Sequence, residues 1–154
     1  QYVSVLVGMG TTLGIAGPRL AKYDINPRTQ ARRMLTFALD GTAKLPPRVQ
    51  SAEVLLPPAD PDYRPDAALA KTGEGVFGAR CGVCHGGAAV SGTHAPDLRR
   101  SAIPTSAEAF ASVVRDGALE ANGMPKFDEI SDQELAAMRQ YLRSRADDLR
   151  QGRP

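Results

Sequence analysis

The chain has 154 residues, of which 42% are apolar but only 5% aromatic, with no tryptophan and two cysteines. Its 19 basic and 17 acidic residues leave a net charge of +2 that is spread along the sequence, which argues against a nucleic-acid footprint. The length suits one ordinary domain, or a small domain plus a segment that belongs to something else, and so few aromatic rings imply a core of aliphatic side chains and whatever cofactor is present.

No apolar run approaches the roughly 20 residues that a membrane-spanning helix needs; residues 3–7 come nearest, and Gly8 and Gly10 break them. The chain is therefore expected not to span a bilayer. It opens on Gln1 with no charged leader, as expected of a processed terminus or of a start inside a longer polypeptide. Residues 2–7 alternate like a strand rich in β-branched side chains, and the glycine-rich residues 8–17 read as a loop. A second candidate strand covers residues 33–39, with Leu35, Phe37 and Leu39 on one face and Met34, Thr36 and Ala38 on the other, followed by an Asp40-Gly41 turn. A helix competes for the same stretch, because Asn26 can cap it, Pro27 can start it and Gly41 can stop it. Either way, two strands separated by some 25 residues cannot bury both of their faces alone. Residues 1–45 thus read as a piece of a larger sheet.

Six prolines, at positions 46, 47, 57, 58, 61 and 65, make residues 46–66 an extended tether lying on a surface. Short helices follow. Residues 67–80 form the first, with Leu69, Val76 and Phe77 available for one face; Gly73, Gly75 and Gly78 weaken it by roughly 1 kcal/mol each and imply close approach of another backbone. Thr105 with Glu108 has the pattern of a capping box opening a second helix that runs to Asp116 and ends at Gly117. Ser131 with Glu134 repeats the device, and Leu135, Met138 and Leu142 then recur at helical spacing beside Tyr141.

Between the first two helices stands Cys81-Gly82-Val83-Cys84-His85, the spacing for c-type haem attachment. Two thiols on one helical turn can each add to a vinyl group of the same porphyrin, and the next side chain then falls beneath the iron as its proximal ligand. A zinc site lacks ligands, since the chain has only two Cys and two His. A dithiol redox site lacks its βαβ context.

For the sixth position, Met124 stands between Gly123 and Pro125 on a loop, 39 residues beyond His85 (124 − 85), which is enough chain to reach the far face. Met138 reads as core, Met9 and Met34 belong to the sheet-like part, and His94 is close to the proximal ligand and reads as a loop-bracing residue. An imidazole facing a thioether fills both axial positions and raises the potential, which points to outer-sphere electron transfer. The Pro96 carbonyl is the candidate acceptor for the Nδ1 proton of His85. Arg99 or Arg100 is a candidate partner for a haem carboxylate, or else an exposed arginine pair.

Gly73-x-x-Val76-Phe77-x-x-x-Cys81-x-x-Cys84-His85, Pro96-Asp97-Leu98, Met124-Pro125-x-Phe127 and the final Leu135…Tyr141-Leu142 helix resemble class I cytochrome c over residues 67–146. The resemblance implies a mainly α fold, cofactor contacts from Cys81, Cys84, His85, Met124, Pro96, Leu98 and Arg99, and a crossing of the first and last helices near Tyr141. More narrowly, Gln1-Tyr2-Val3, residues 33–41 and Ala95-Pro96-Asp97-Leu98-Arg99 resemble the C-terminal end of a quinohaemoprotein alcohol dehydrogenase. That resemblance tips residues 33–39 toward strand and divides the chain into a propeller remnant (1–45), a proline-rich linker (46–66) and a cytochrome domain (67–154). It implies haem c here, pyrroloquinoline quinone (PQQ) and calcium in a propeller that this chain lacks, a periplasmic location and a small periplasmic electron acceptor. No catalysis is expected of this chain alone. The alternatives are one chain of a competent dehydrogenase completed by a second polypeptide, or a haem sensor with an open sixth site.

Overall fold

The computed structural model describes residues 1–7, 33–45, 56–90 and 95–153. The glycine-rich loop, the start of the competing helix at Asn26-Pro27, residues 46–55 of the proline-rich tether and His94 lie outside them. Tyr2–Val7 forms strand β1 and Arg33–Ala38 strand β2, paired antiparallel with Val3 opposite Phe37, Ser4 opposite Thr36 and Val5 opposite Leu35. Strand geometry prevails over helix at residues 33–38, where the cross-strand partners are β-branched or large and the Ser4 and Thr36 hydroxyls lie 2.9 Å apart. Gly41 N–H closes the following turn on the Ala38 carbonyl at 3.1 Å. Val3, Val5, Val7, Leu35 and Phe37 share one face of the hairpin; Tyr2, Leu6 and Met34 share the other. Both faces are apolar, and large side chains on each, Phe37 and Leu6 among them, are exposed.

The rest is helical. Asp66 accepts from Leu69 N–H at 2.9 Å and starts α1, Ala67–Arg80. Cys81 ends α1 and begins the single turn α2, Gly82–His85. Helix α3 spans Ala107–Val114 and α4 spans Asp132–Arg150. The capping box at Ser131 and Glu134 forms in full and fixes the start of α4.

The expected box at Thr105 and Glu108 does not form. Pro104 lies in a 3₁₀ turn, Ile103–Thr105, and the Thr105 hydroxyl donates back to the Ala102 carbonyl at 2.7 Å. Ser106, one residue on, is extended and accepts from Ala109 N–H at 3.1 Å, so it caps α3. The same helix stops at Val114 rather than Asp116. Beyond it, left-handed Gly117 lets Ala118 N–H reach the Ser112 carbonyl at 3.1 Å.

The core is where α1 crosses α4. Phe77 from α1 joins Phe110 and Val114 of α3, Ile130, and Leu135, Met138, Tyr141 and Leu142 of α4. A Cβ placed on Gly73 would lie 1.9 Å from the Ala137 carbonyl oxygen, so only glycine permits this crossing. Gly75 and Gly78 have nothing within 4 Å of such a Cβ. The close approach expected of all three glycines therefore holds for Gly73 alone. No helix among the described residues is long and apolar enough to cross a membrane.

Candidate functional site

Helices α1 and α2 meet at Cys81, which caps the end of one and the start of the other. Cys81 N–H bonds the Phe77 carbonyl at 2.8 Å, and its own carbonyl then accepts from His85 N–H at 2.9 Å. Cys81 and Cys84 stand three residues apart on that turn and so share a side of it. The Cys81 thiol is partly buried and the Cys84 thiol exposed. Burial pushes the Cys81 pKa up to about 11, against the pull of Arg80, so both it and its environment are poorly suited to a reactive thiolate.

His85 is 6% exposed. Its Nδ1 lies 3.1 Å from the Pro96 carbonyl oxygen, which can only accept. The ring proton therefore sits on Nδ1, and Nε2 is left as a bare lone pair. Burial lowers the pKa of the imidazole, opposed by the Pro96 hydrogen bond, which favours the neutral base. A buried, neutral, oriented imidazole is the form that ligates iron.

After His85 the chain turns sharply. Gly86, Ala88 and Ala89 all have positive φ, at 74°, 56° and 61°. Two alanines in the left-handed region are costly, and Ala89 is nevertheless wholly buried in the core cluster. Arg145 of α4 donates to the Ala88 carbonyl at 3.4 Å and braces the turn. The Gly86-Gly87 pair was the available signal for such a reversal, and Arg145 had none.

The segment carrying Pro96 is held by Asp97, which is 4% exposed. Its carboxylate accepts from Arg99 N–H at 3.2 Å, capping the 3₁₀ turn Leu98–Arg100. The Nε and Nη2 of Arg99 both bond it at 3.0 Å, so the fork of Arg99 is closed on Asp97. Arg100 contributes Nε at 3.4 Å, while its Nη1 is buried with no hydrogen-bond partner. Leu98 packs against the core cluster.

Met124 follows left-handed Gly123, whose φ of 89° ends a 3₁₀ turn, Glu120–Asn122. Its N–H bonds the Leu119 carbonyl at 3.2 Å, and Phe127 N–H bonds Val114 at 2.8 Å. Both side chains lie partly buried against the core. Met138 is core, 1% exposed, as the helical spacing implies, and Met34 is exposed on β2. Among the described residues no group of three or more His, Cys, Asp and Glu side chains is placed to hold a metal ion.

Residues 68–142 match the family model described as cytochrome C oxidase, cbb3-type, subunit III. Over 147 residues the chain is 35% identical to quinohemoprotein alcohol dehydrogenase ADH IIB of Pseudomonas putida, covering 94% of this chain and 21% of that protein. It is 34% identical over 154 residues to the dehydrogenase subunit of the alcohol dehydrogenase (quinone) of Gluconobacter oxydans, covering 96% and 19% respectively. The solved structure of quinohemoprotein alcohol dehydrogenase ADHIIG from Pseudomonas putida superposes with a TM-score of 0.71 at 33% identity, over 97% of this chain and 21% of that one. The chain spans about a fifth of the length of these relatives.

Proposed function

We propose, from the match of residues 68–142 to a family model of cytochrome C oxidase, cbb3-type, subunit III and the likeness to quinohemoprotein alcohol dehydrogenases, that the chain is the electron-transfer end of a quinohaemoprotein alcohol dehydrogenase. In this reading it relays single electrons from a PQQ quinol in a preceding catalytic part to a small periplasmic acceptor. When bound, haem c supplies the one-electron couple of its iron.

The residues suit that group. Cys81 and Cys84 would hold it through thioethers, and neither is tied up in a disulfide. His85 would ligate the iron through Nε2, its orientation kept by the Pro96 carbonyl. Met124 would supply a second ligand to the iron from a loop that Gly123 and Pro125 shape. Leu98 would give the ring an apolar neighbour, and Arg99 with Arg100 outnumber the single carboxylate Asp97, leaving positive charge for the carboxylates of the porphyrin. With His85 and Met124 both holding the iron, the group would supply electron transfer rather than substrate binding. The observation that carries the proposal is the buried His85 donating to Pro96 one residue beyond a turn that bears two thiols.

The hairpin supports the larger assignment. A two-stranded sheet with exposed large apolar side chains on both faces is marginal alone and suits the interior of a stack of sheets. Residues 1–45 are accordingly read as the remnant of a terminal propeller blade and residues 67–154 as the cytochrome domain, joined through the proline-rich residues 46–66. PQQ and calcium belong to the part that precedes them.

The test is maturation in a periplasm competent for cytochrome c assembly, followed by mass measurement and an absorbance spectrum. A mass gain of one haem per chain and low-spin c-type bands in the reduced form are expected. A colourless product with the mass of bare polypeptide rejects the proposal.

A further inference from the structure

The described end of the proline-rich segment is fastened down. The Nε and Nη2 of Arg143 grip the two oxygens of Asp60 at 2.7 and 2.8 Å, and the two side chains are 8% and 5% exposed. Arg150 donates to the Pro58 carbonyl at 2.7 Å, and Gln140 donates to the Arg64 carbonyl at 2.8 Å. Tyr63 lays its ring 5.3 Å from the guanidinium carbon of Arg143. Gln140, Arg143 and Arg150 lie along one stripe of α4. On the other side of the contact, Pro57, Pro58, Pro61 and Pro65 restrict the free segment, so little conformational entropy is lost when it docks. Arg64 braces it internally by donating to the Pro61 and Tyr63 carbonyls, each at 2.9 Å.

We propose that residues 57–65 are a strap latched onto α4, and that the Asp60–Arg143 pair is the latch that sets how far the haem domain can travel from the segment before it. The strap itself follows from these contacts alone; its role in electron transfer rests on the proposed function above, in which the donor precedes it in the chain. With the strap docked, only residues 46–56 connect it to residues 1–45, and they span at most about 40 Å. With it released, the 21 residues 46–66 span at most about 75 Å. Latching therefore nearly halves the reach of the tether and keeps the haem near its donor.

Hydrogen exchange read by mass spectrometry on the whole haem-loaded chain tests the latch, with small-angle scattering on the same samples. In the wild type, peptides covering residues 57–66 should be protected. Asp60→Asn should speed their exchange at least tenfold and lengthen the largest dimension of the particle, while α1 and α4 keep their protection. Removing one charge of a buried pair leaves the other uncompensated, so the double variant Asp60→Asn/Arg143→Gln, which removes both, guards against general unfolding. It should release the strap with the haem spectrum unchanged. Free exchange of residues 57–66 in the wild type overturns the proposal, as does unchanged protection in both variants. Either result leaves the proposed function standing if haem is attached, whereas absence of haem from a chain with a protected strap rejects that function and not the strap.

Discussion

Phe77 on α1 and Tyr141 on α4 meet with ring centroids 5.4 Å apart and planes inclined at 48°, one helical turn from the point where Gly73 meets the backbone of Ala137. The two contacts, Gly73 with Ala137 and Phe77 with Tyr141, are each four residues further along their helices. Together they hold the crossing that sets Cys81 at the end of α1.

Gly73→Ala should therefore be strongly destabilising. Its new methyl would fall on the Ala137 carbonyl and force the helices apart, at a cost of about 1–3 kcal/mol or more. Gly75→Ala and Gly78→Ala should instead gain about 0.5–1 kcal/mol each, because both positions are open and neither needs a positive φ. Denaturant midpoints of the three variants check the contrast, and equal effects at all three positions would refute the crossing.

The cap of α3 offers a second measurement. Ser106→Ala removes the acceptor for Ala109 N–H and should cost about 1 kcal/mol in thermal unfolding. Thr105→Ala, at an exposed hydroxyl, should stay within about 0.5 kcal/mol. A larger loss at Thr105 would return the cap to the position first expected from the sequence.

Acid should loosen the α4 face through Asp60. The Arg143 fork holds the Asp60 carboxyl below its ordinary range, against the opposing pull of burial. A carboxylate with a depressed folded pKa adds stability that is fully present above its unfolded value, near pH 4, and is lost as pH falls through the lower folded value. Stability of the wild type should thus drop more steeply below about pH 4 than that of Asp60→Asn, whose side chain does not titrate. Parallel curves from pH 6 to pH 2 would show that the pair contributes nothing to acid sensitivity.

Met124 and Met138 separate ligation from structure. Met124→Ala should open the sixth position, giving a high-spin spectrum and rapid carbon monoxide binding by the ferrous form. Met138→Ala should leave the spectrum alone and cost about 2–5 kcal/mol of stability, as expected for a core side chain 1% exposed. If the spectrum follows Met138 instead, the assignment of the loop methionine is wrong.

How much of this was written in the sequence depends on whether the signal is local. The two thiols and the imidazole had to share one turn because their spacing is that of a helix, and Ser131 with Glu134 marked the start of α4 through contacts three residues apart. Leu135, Met138 and Leu142 announced a buried face by periodicity alone. The need of a ligating imidazole for an acceptor pointed to Pro96, whose carbonyl meets His85 across 11 residues.

Tertiary structure decided what local rules cannot weigh. Three glycines on α1 look alike in sequence, yet only Gly73 faces a neighbouring backbone, because only it lies on the side of α1 that α4 approaches. Arg99 and Arg100 are adjacent and chemically identical, but the buried carboxylate of Asp97 closes the fork of one and leaves a donor of the other without a partner. The proline-rich segment reads as a tether by composition, while Arg143, 83 residues from Asp60, makes its described end part of the helical domain. In each case the sequence supplied the group and its local conformation, and a partner distant along the chain fixed its role, since burial and pairing depend on which surfaces come together in space.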